Sequence, residues 1–191
     1  MTPVPASEDA DLVARAKQGD RLAFEDLVRR YADRLHAVVL RLVDDRHDAE
    51  EATQEAFLRA WRSIDRFKGD SQFFTWLYRI GVNEAHRLTG RRAARPAVSL
   101  DEQDVPPADP ALGPDARAQH DDLRAALESA IRALDHDYRA PLVLRDVEGL
   151  STAQAAAIMG LGEAAFKSRL HRARLAVRDA VRDHLPQEPR A

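Results

Sequence analysis

Apolar residues recur at spacings of three and four through most of the chain, which is the pattern of amphipathic helices. The longest of these stripes contains Phe24, Leu27, Val28, Tyr31, Leu35, Val38, Val39 and Leu42. Shorter stripes that follow Asp48, Ser71, Asp121 and Thr152 predict further helices. No run of alternating β-branched residues is present in the sequence, so a sheet is not predicted. The expected fold class is therefore all-α.

One segment differs in composition from the rest of the chain. Five of the ten prolines lie between positions 96 and 114, together with Gly113 and several acidic residues, as is typical of an extended, solvated linker. We therefore expect two small helical domains, at residues 8–95 and 121–185, joined by a flexible acidic linker at residues 96–120. Asp44-Asp45 should form a turn before a helix capped by Asp48, and Ser71 should cap the helix that ends or kinks at Thr89-Gly90.

Several classes of protein are made improbable by composition. Cysteine is absent, which excludes disulfides, thiolate metal sites and a cysteine nucleophile. The N-terminus lacks the basic start and apolar core of a signal peptide, and no apolar stretch is long enough to span a bilayer. We therefore expect a cytoplasmic protein without membrane insertion.

Charge is distributed unevenly. The formal net charge is −3, yet basic residues cluster at 86–95 and 163–182 while acids dominate the segment between them. Local positive patches of this kind can bind nucleic acid although the whole chain is slightly acidic.

The second basic cluster lies in a helix-turn-helix pattern. Ser151 and Gln154 form a capping box, and Gly160-Leu161-Gly162 predicts the tight turn. The following helix presents its polar face with Lys167, Ser168, Arg169, His171 and Arg172. In such a unit the second helix enters the major groove, where arginine and lysine read guanine edges. The alternative is an αα-hairpin with a solvated basic face, and the concentration of basic residues on this one helix favours DNA binding.

The stretch from Phe67 to Arg95 combines crowded aromatics with a polar Asn83 and a run of arginines. Aromatic faces followed by positive charge suit unstacked bases and their phosphates. The alternative is that the aromatics form a helical core and the arginines a solvated face. The helix predicted to start at Asp48 has a similar ambiguity. Its charged side fits either a docking surface for a partner or a solvated face with ion pairs such as Glu55–Arg59.

Catalytic motifs are not found. The sequence contains no HExxH, GxxxxGK[ST] or GxSxG, and its histidines are scattered. We therefore expect no catalytic residues, no metal and no cofactor, and a helical enzyme is the remotest alternative.

Three blocks, in order, carry a family resemblance: HDAEEATQEAFLRAW, FKGDSQFFTWLYRIGVN and LRDVEGLSTAQAAAIMGLGEAAFKSRLHRAR. Together they resemble the extracytoplasmic function (ECF) group of bacterial alternative sigma factors, over about Ala10 to Leu185. The resemblance implies a protein that binds core RNA polymerase and directs promoter-specific initiation. It also implies promoter DNA, the β′ clamp helices, the β flap and an anti-sigma factor as partners.

The resemblance assigns roles to individual residues. The docking segment for the β′ clamp helices would include Asp48, Glu51, Gln54, Glu55, Phe57 and Trp61. Asn83 would read a base flipped from the non-template strand near minus ten, in a pocket walled by Ser63, Phe67 and Ile80. The phosphate contacts would be Lys68, Arg79, Arg87, Arg91 and Arg92. Ser151 and the polar face of the last helix would read the element near minus thirty-five.

Two departures from the family pattern concern the last helix. Members often have Gly-Thr where this chain has Ala164 and Ala165, so a phosphate-contacting hydroxyl is missing. His171 stands at a DNA-reading position where family members have an aromatic or other residue, so the base read at that position is not determined by the resemblance. Two other classes compete: a stand-alone helix-turn-helix regulator, which needs no strand-melting surface, and an interaction protein that occupies polymerase or an anti-sigma factor without supporting transcription.

Overall fold

The computed structural model describes residues 6–43, 45–93 and 114–182, and side chains for 9–43, 45–91 and 121–182. Within those ranges every regular element is helical, which confirms the all-α prediction. The helices are α1 (Ala6–Lys17), α2 (Arg21–Leu42), α3 (Arg46–Ser63), α4 (Phe73–Ala93), α5 (Pro114–Arg132), α6 (His136–Leu142), α7 (Thr152–Met159) and α8 (Glu163–Ala180). Of these helices, none combines the length and apolar character that crossing a bilayer requires.

Helices α1 to α4 form the first unit around the predicted apolar stripe. Asp20 caps α2 by accepting a hydrogen bond from the Ala23 amide at 3.2 Å. Leu27 and Leu35 on α2 are completely buried. Helix α3 places a row of alanines against this core, and their small side chains allow close approach of α4. The amphipathic periodicity of α2 therefore predicts its buried face correctly.

Helices α5 to α8 form the second unit, which contains the predicted helix-turn-helix. Pro141 lies inside α6, and a π-helical turn from Val143 to Val147 follows. The capping box at the start of α7 is formed, with the Ser151 hydroxyl accepting from the Gln154 amide at 3.2 Å. Gly160 ends α7 with φ +66°, a left-handed conformation that suits glycine. These features confirm the predicted turn.

Four boundaries differ from the sequence expectation. Helix α3 begins at Arg46, because Asp45 rather than Asp48 caps it by accepting from the Asp48 amide at 3.0 Å. Helix α4 begins at Phe73, and the Ser71 hydroxyl lies near the Gln72 carbonyl instead of capping the helix. The same helix continues through Gly90, where a break was expected. Helix α5 begins at Pro114, inside the segment expected to be a linker.

The two units pack against each other. Helix α4 contacts α6 and α7, and α2 contacts α6. The Arg139 side chain, only 6% exposed, donates to the Leu42 carbonyl at 3.3 Å across this contact. An ion pair of 3.2 Å joins Arg41 to Glu148 nearby. The buried apolar residues of both units consequently form one continuous core.

Candidate nucleic-acid and polymerase interfaces

The aromatics of the segment at residues 67–78 are mostly core residues. The Phe67 ring lies 5.2 Å from Trp76 and 6.0 Å from Phe73, measured between centroids. Phe73 in turn packs 5.7 Å from Tyr31 on α2. Edge and tilted contacts of this kind stabilise a cluster beyond the area they bury. The cluster therefore anchors the loop at residues 67–72, and the interpretation of these aromatics as core applies to most of them.

The four residues predicted to form the base pocket differ in their exposure to solvent. Asn83 is exposed on α4, and Ile80 lies one turn before it on the same face, half-buried. The Ser63 hydroxyl donates to the Arg59 carbonyl at 2.6 Å, which leaves its oxygen as an acceptor. Phe67 is 7% exposed and belongs to the aromatic cluster. The exposed amide of Asn83 is thus the most accessible of the four predicted groups.

A cleft of about 1060 Å³ lies beside this region. It is formed by α1, α2, the loop at residues 67–72, the start of α4 and the residues around the start of α7. Phe67 and Lys68 line it, whereas Ser63, Ile80 and Asn83 do not belong to its lining. The cleft and the exposed face of Asn83 are therefore separate features of the described surface.

The predicted phosphate contacts of the first unit lie in two environments. Lys68 and Arg91 are exposed. Arg79 is also exposed, but its guanidinium lies beside the turn after α7, 3.3 Å from where a Cβ on Gly160 would stand. Arg87 is half-buried and donates from Nε to Glu84 at 2.8 Å, and this carboxylate raises the pKa of the arginine. The Arg92 side chain lies outside the described residues.

Glu84 is a functional candidate that the sequence reasoning missed. Its side chain is 2% exposed, and its carboxylate pairs with both Arg87 and Arg59. The signal was present in the sequence, since Glu84 falls on the apolar stripe of α4 with Leu77, Gly81 and Leu88. An acid at such a position has to find cationic partners, because an unpaired buried charge is very costly.

The predicted docking helix, α3, presents a polar face over a buried one. Glu51 and Gln54 are exposed, and Glu55 is half-buried and accepts from Arg59 Nε at 3.0 Å. Asp48 and Phe57 are buried. Trp61 is half-buried, with its ring 5.0 Å from Phe24. Of the six predicted residues, Glu51, Gln54 and Glu55 can meet a partner directly, Asp48 and Phe57 lie in the interior, and Trp61 keeps part of its surface exposed.

The predicted reading face of α8 is open to solvent. Phe166 and Leu170 fix the opposite face of the helix in the core. Lys167, Ser168, His171 and Arg172 are exposed, and Arg169 is half-buried. Two of the cations have acidic neighbours, Arg169 with Asp137 at 3.0 Å and Lys167 with Glu163 at 3.7 Å. Exposed pairs of this kind are weak, so a phosphate can displace them.

The contact between the two units includes a histidine pair. The rings of His86 on α4 and His136 on α6 are stacked, with centroids 4.5 Å apart. Burial, and then the neighbouring His86, lower the pKa of His136 to about 4. Tyr78, which is on the same helix as His86, is fully buried, and burial raises the pKa of its hydroxyl. Burial therefore keeps the His136 imidazole neutral in the contact between the units.

Comparison with known proteins connects these surfaces to a family. The family model described as "Sigma-70 region 2" matches residues 27–95, and "Sigma-70, region 4" matches residues 124–177. The chain is 35% identical over 181 residues to the RNA polymerase sigma-H factor of Pseudomonas aeruginosa, covering 91% of this chain and 94% of that one. It belongs to the ECF sigma factors of the sigma-70 family.

The ECF RNA polymerase sigma-E factor of Escherichia coli K12 is 37% identical over 180 residues, covering 91% of this chain and 94% of the relative. The solved structure of CnrH in complex with the cytosolic domain of CnrY matches with a TM-score of 0.66 and 29% identity, over 92% and 97% of the two chains. The sigma factor RpoE of Bartonella quintana, solved with the anti-sigma factor NepR, has a TM-score of 0.63 at 24% identity, over 83% and 96%, and supports the fold alone.

Family membership decides between the functional classes considered. An ECF sigma factor binds core polymerase and directs promoter-specific initiation, which agrees with the expectation from the three sequence blocks. A stand-alone helix-turn-helix regulator is not favoured, because the matches include the sigma region 2 as well as the helix-turn-helix. The first match covers α3, α4 and α2 from Leu27 onward, and the second covers α6, α7 and α8 as far as Val177.

Proposed function

We propose that this ECF sigma factor uses three helical surfaces in sequence. The exposed side of α3, with Glu51, Gln54 and Glu55, docks on the β′ clamp helices. The face of α4 that carries Asn83 captures and holds the melted strand near minus ten. The polar face of α8 reads the duplex near minus thirty-five. The observation that carries the proposal is the presence of both sigma regions, in order, on the helices that expose these faces.

The two DNA-binding surfaces have different energetic tasks. Duplex contacts by α8 supply register and phosphate affinity without deforming the DNA. Melting requires unstacking, which costs a few kcal/mol for each extruded base. Interactions with the extruded base and its phosphates on α4 offset part of that cost. Asn83 is suited to this task because its exposed amide offers both a donor and an acceptor.

The packed arrangement of the two units bears on how these surfaces act together. Reading two elements separated along the promoter requires α4 and α8 to reach different stretches of DNA. In the packed arrangement α7 lies against α4, and Arg79 lies beside Gly160. We therefore propose that this contact belongs to the free chain and separates when the factor docks on polymerase.

Two further features complete the proposal. The factor acts in the cytoplasm, by binding and without catalysing a reaction of its own. An anti-sigma factor is its regulatory partner, as the resemblance to the ECF group implies, and the similar CnrH structure was solved as a complex with the cytosolic domain of CnrY. The β flap would be the site of docking for the α8 unit.

Run-off transcription tests the function. Core polymerase is combined with a library of promoter fragments, with and without this chain. The expected result is initiation at a small set of templates only when the chain is present. Absence of chain-dependent initiation on every template, together with no measurable binding to core polymerase, would refute the proposal.

A further inference from the structure

Glu84 on α4 has an arrangement that neither the fold nor the family resemblance assigns to a task. Its side chain is 2% exposed, and it directly follows Asn83. The two carboxylate oxygens pair with arginines from two helices. Oε1 lies 2.9 Å from Arg59 Nη1 on α3, and Oε2 accepts from Arg87 Nε on α4 at 2.8 Å. One buried acid thus holds two cations in defined directions.

The ionic row continues toward the surface of α3. The Nε of Arg59 donates to Glu55 Oε1 at 3.0 Å, in addition to the contact between Nη1 and Glu84. Glu55, Arg59, Glu84 and Arg87 therefore form an unbroken chain of alternating charge. It runs from the proposed docking face of α3 to the proposed phosphate contact on α4.

Because Glu84 is buried, it holds the arginine side chains that pair with it in fixed orientations. Arginine on an open surface samples many rotamers, and ordering it on a ligand costs free energy. Glu84 fixes Arg87 through Nε, and the guanidinium has further N–H donors on its outer edge. The Arg87 side chain is 31% exposed, so those donors are within reach of solvent and of a phosphate. Arg87 is consequently ordered before any ligand arrives.

A purely stabilising role does not account well for this arrangement. Replacing a buried ion pair by apolar residues of similar volume is often neutral or stabilising. An apolar residue would continue the stripe of Leu77, Gly81 and Leu88, which surrounds Glu84 along α4. The acid is better explained by what it does to Arg59 and Arg87 than by its own contribution to the core.

We propose that Glu84 is a positioning residue that presents Arg87 to a backbone phosphate of the melted strand and ties this contact to the docking helix through Arg59. The inference rests on the proposed function, since it needs α4 to hold the strand. Simple electrostatics makes the opposite prediction for removal of the acid. Loss of a negative charge beside a DNA-binding face should strengthen binding, whereas loss of a positioning group should weaken it.

The test uses the full chain with saturating core polymerase, on a template where the wild type initiates. Strand opening is followed by the fluorescence of 2-aminopurine placed in the minus-ten element. Glu84→Gln should weaken open-complex formation about tenfold, the range expected for one lost charged contact. Glu128→Gln is the matched control. It removes an acid from an exposed pair with Arg124 on α5 and should leave opening unchanged.

A second variant addresses the same point without altering the buried acid. Arg87→Lys keeps the charge, but lysine cannot hold Glu84 and a phosphate with separate edges of one planar group. If Glu84 positions Arg87, Arg87→Lys should lose most of the open-complex formation that Arg87→Ala loses. Adding Glu84→Gln to Arg87→Ala should then cause no further loss. The comparison of Arg87→Lys with Arg87→Ala decides the question even if Glu84→Gln unfolds at the assay temperature, which a thermal melt would reveal.

Three results would overturn the inference: opening by Glu84→Gln equal to or stronger than that of the wild type, wild-type opening by Arg87→Lys, or multiplicative losses in the double variant. Failure of the proposed function is distinguishable, because the wild type itself would then give no chain-dependent opening on any template.

Discussion

The imidazole of His136 on α6 stacks on that of His86 on α4, with the ring centroids 4.5 Å apart and the planes inclined by 24°. This contact joins the two helical units. The pKa of His136 is lowered from 6.5 to about 4, first by burial and then by His86. Asp137 raises that pKa and Arg139 lowers it, and both are weaker influences. The packed state therefore binds the neutral imidazole.

The sign of the pH dependence follows from this lowered pKa. A group that is harder to protonate in the packed state favours the unpacked state as protons are added. The packing contributed by His136 is complete above pH 6.5 and should be lost as the pH falls toward 4. The loss amounts to about 3 kcal/mol at most, at 1.36 kcal/mol for each pKa unit.

Energy transfer between two labels measures this separation. The chain has no cysteine, so single cysteines introduced at the exposed positions Arg29 and Arg178 would carry the labels. Transfer efficiency should fall between pH 6.5 and 4 in the parent chain. His136→Phe keeps an aromatic ring without a titrating nitrogen and should flatten the change. An equal fall in that variant would show that other groups drive the separation.

Asn83 should matter for strand opening more than for duplex binding. Its side chain is exposed, so Asn83→Ala should leave the thermal stability unchanged. Loss of a base-reading amide should weaken open-complex formation by about 1–3 kcal/mol. Binding of the chain to an isolated minus-thirty-five duplex should be unaffected. Equal losses in the two assays would contradict the assignment of Asn83 to the melted strand.

Arg172 should show the reverse pattern. It is exposed on the polar face of α8, beyond the turn at Gly160. If it contacts a phosphate, Arg172→Ala should reduce the slope of log affinity against log salt by about one in binding to the minus-thirty-five duplex. Arg178→Ala, further along the same helix and exposed, serves as a comparison with a charge removed outside the predicted reading face. Identical salt slopes for Arg172→Ala and the parent chain would exclude a phosphate contact.

Features set by residues close together in the sequence could be predicted, whereas contacts between distant parts of the chain could not. The stripe of α2, the capping box of Ser151 and the turn at Gly160 depend on neighbouring residues, and all were predicted. The caps at Asp48 and Ser71 were misplaced, because several nearby polar residues can serve and only the backbone path selects one. Such choices shift helix boundaries without changing the fold.

Contacts between distant parts of the chain were not predictable in this way. The composition of the segment at residues 96–120 indicated separated domains, and nothing local indicated that Arg139 would donate to the Leu42 carbonyl. The pairing of Glu84 with Arg59 likewise joins two helices. The family resemblance supplied roles for Asn83 and Arg87, whereas only the packed helices reveal that Arg87 is held by a buried acid.

Gly81 and Gly90 on α4 provide a matched test of the packing between α2 and α4. A Cβ on Gly81 would stand 2.7 Å from Leu35 Cδ1 and 3.5 Å from Val39 Cγ2, both in fully buried side chains. At Gly90 no atom lies within 4 Å of the equivalent position in the described structure. Alanine favours the helix over glycine by about 1 kcal/mol at either site. The two substitutions therefore differ mainly in crowding.

Gly90→Ala should raise the free energy of unfolding by about 0.5–1 kcal/mol, since it adds only helix propensity. Gly81→Ala should lower it by about 1 kcal/mol, because overpacking of a filled core costs about 1–3 kcal/mol and outweighs that gain. Denaturant unfolding followed by circular dichroism measures both. Equal stabilisation by the two alanines would mean that Leu35 can move aside, and that the close approach of α2 and α4 does not require glycine.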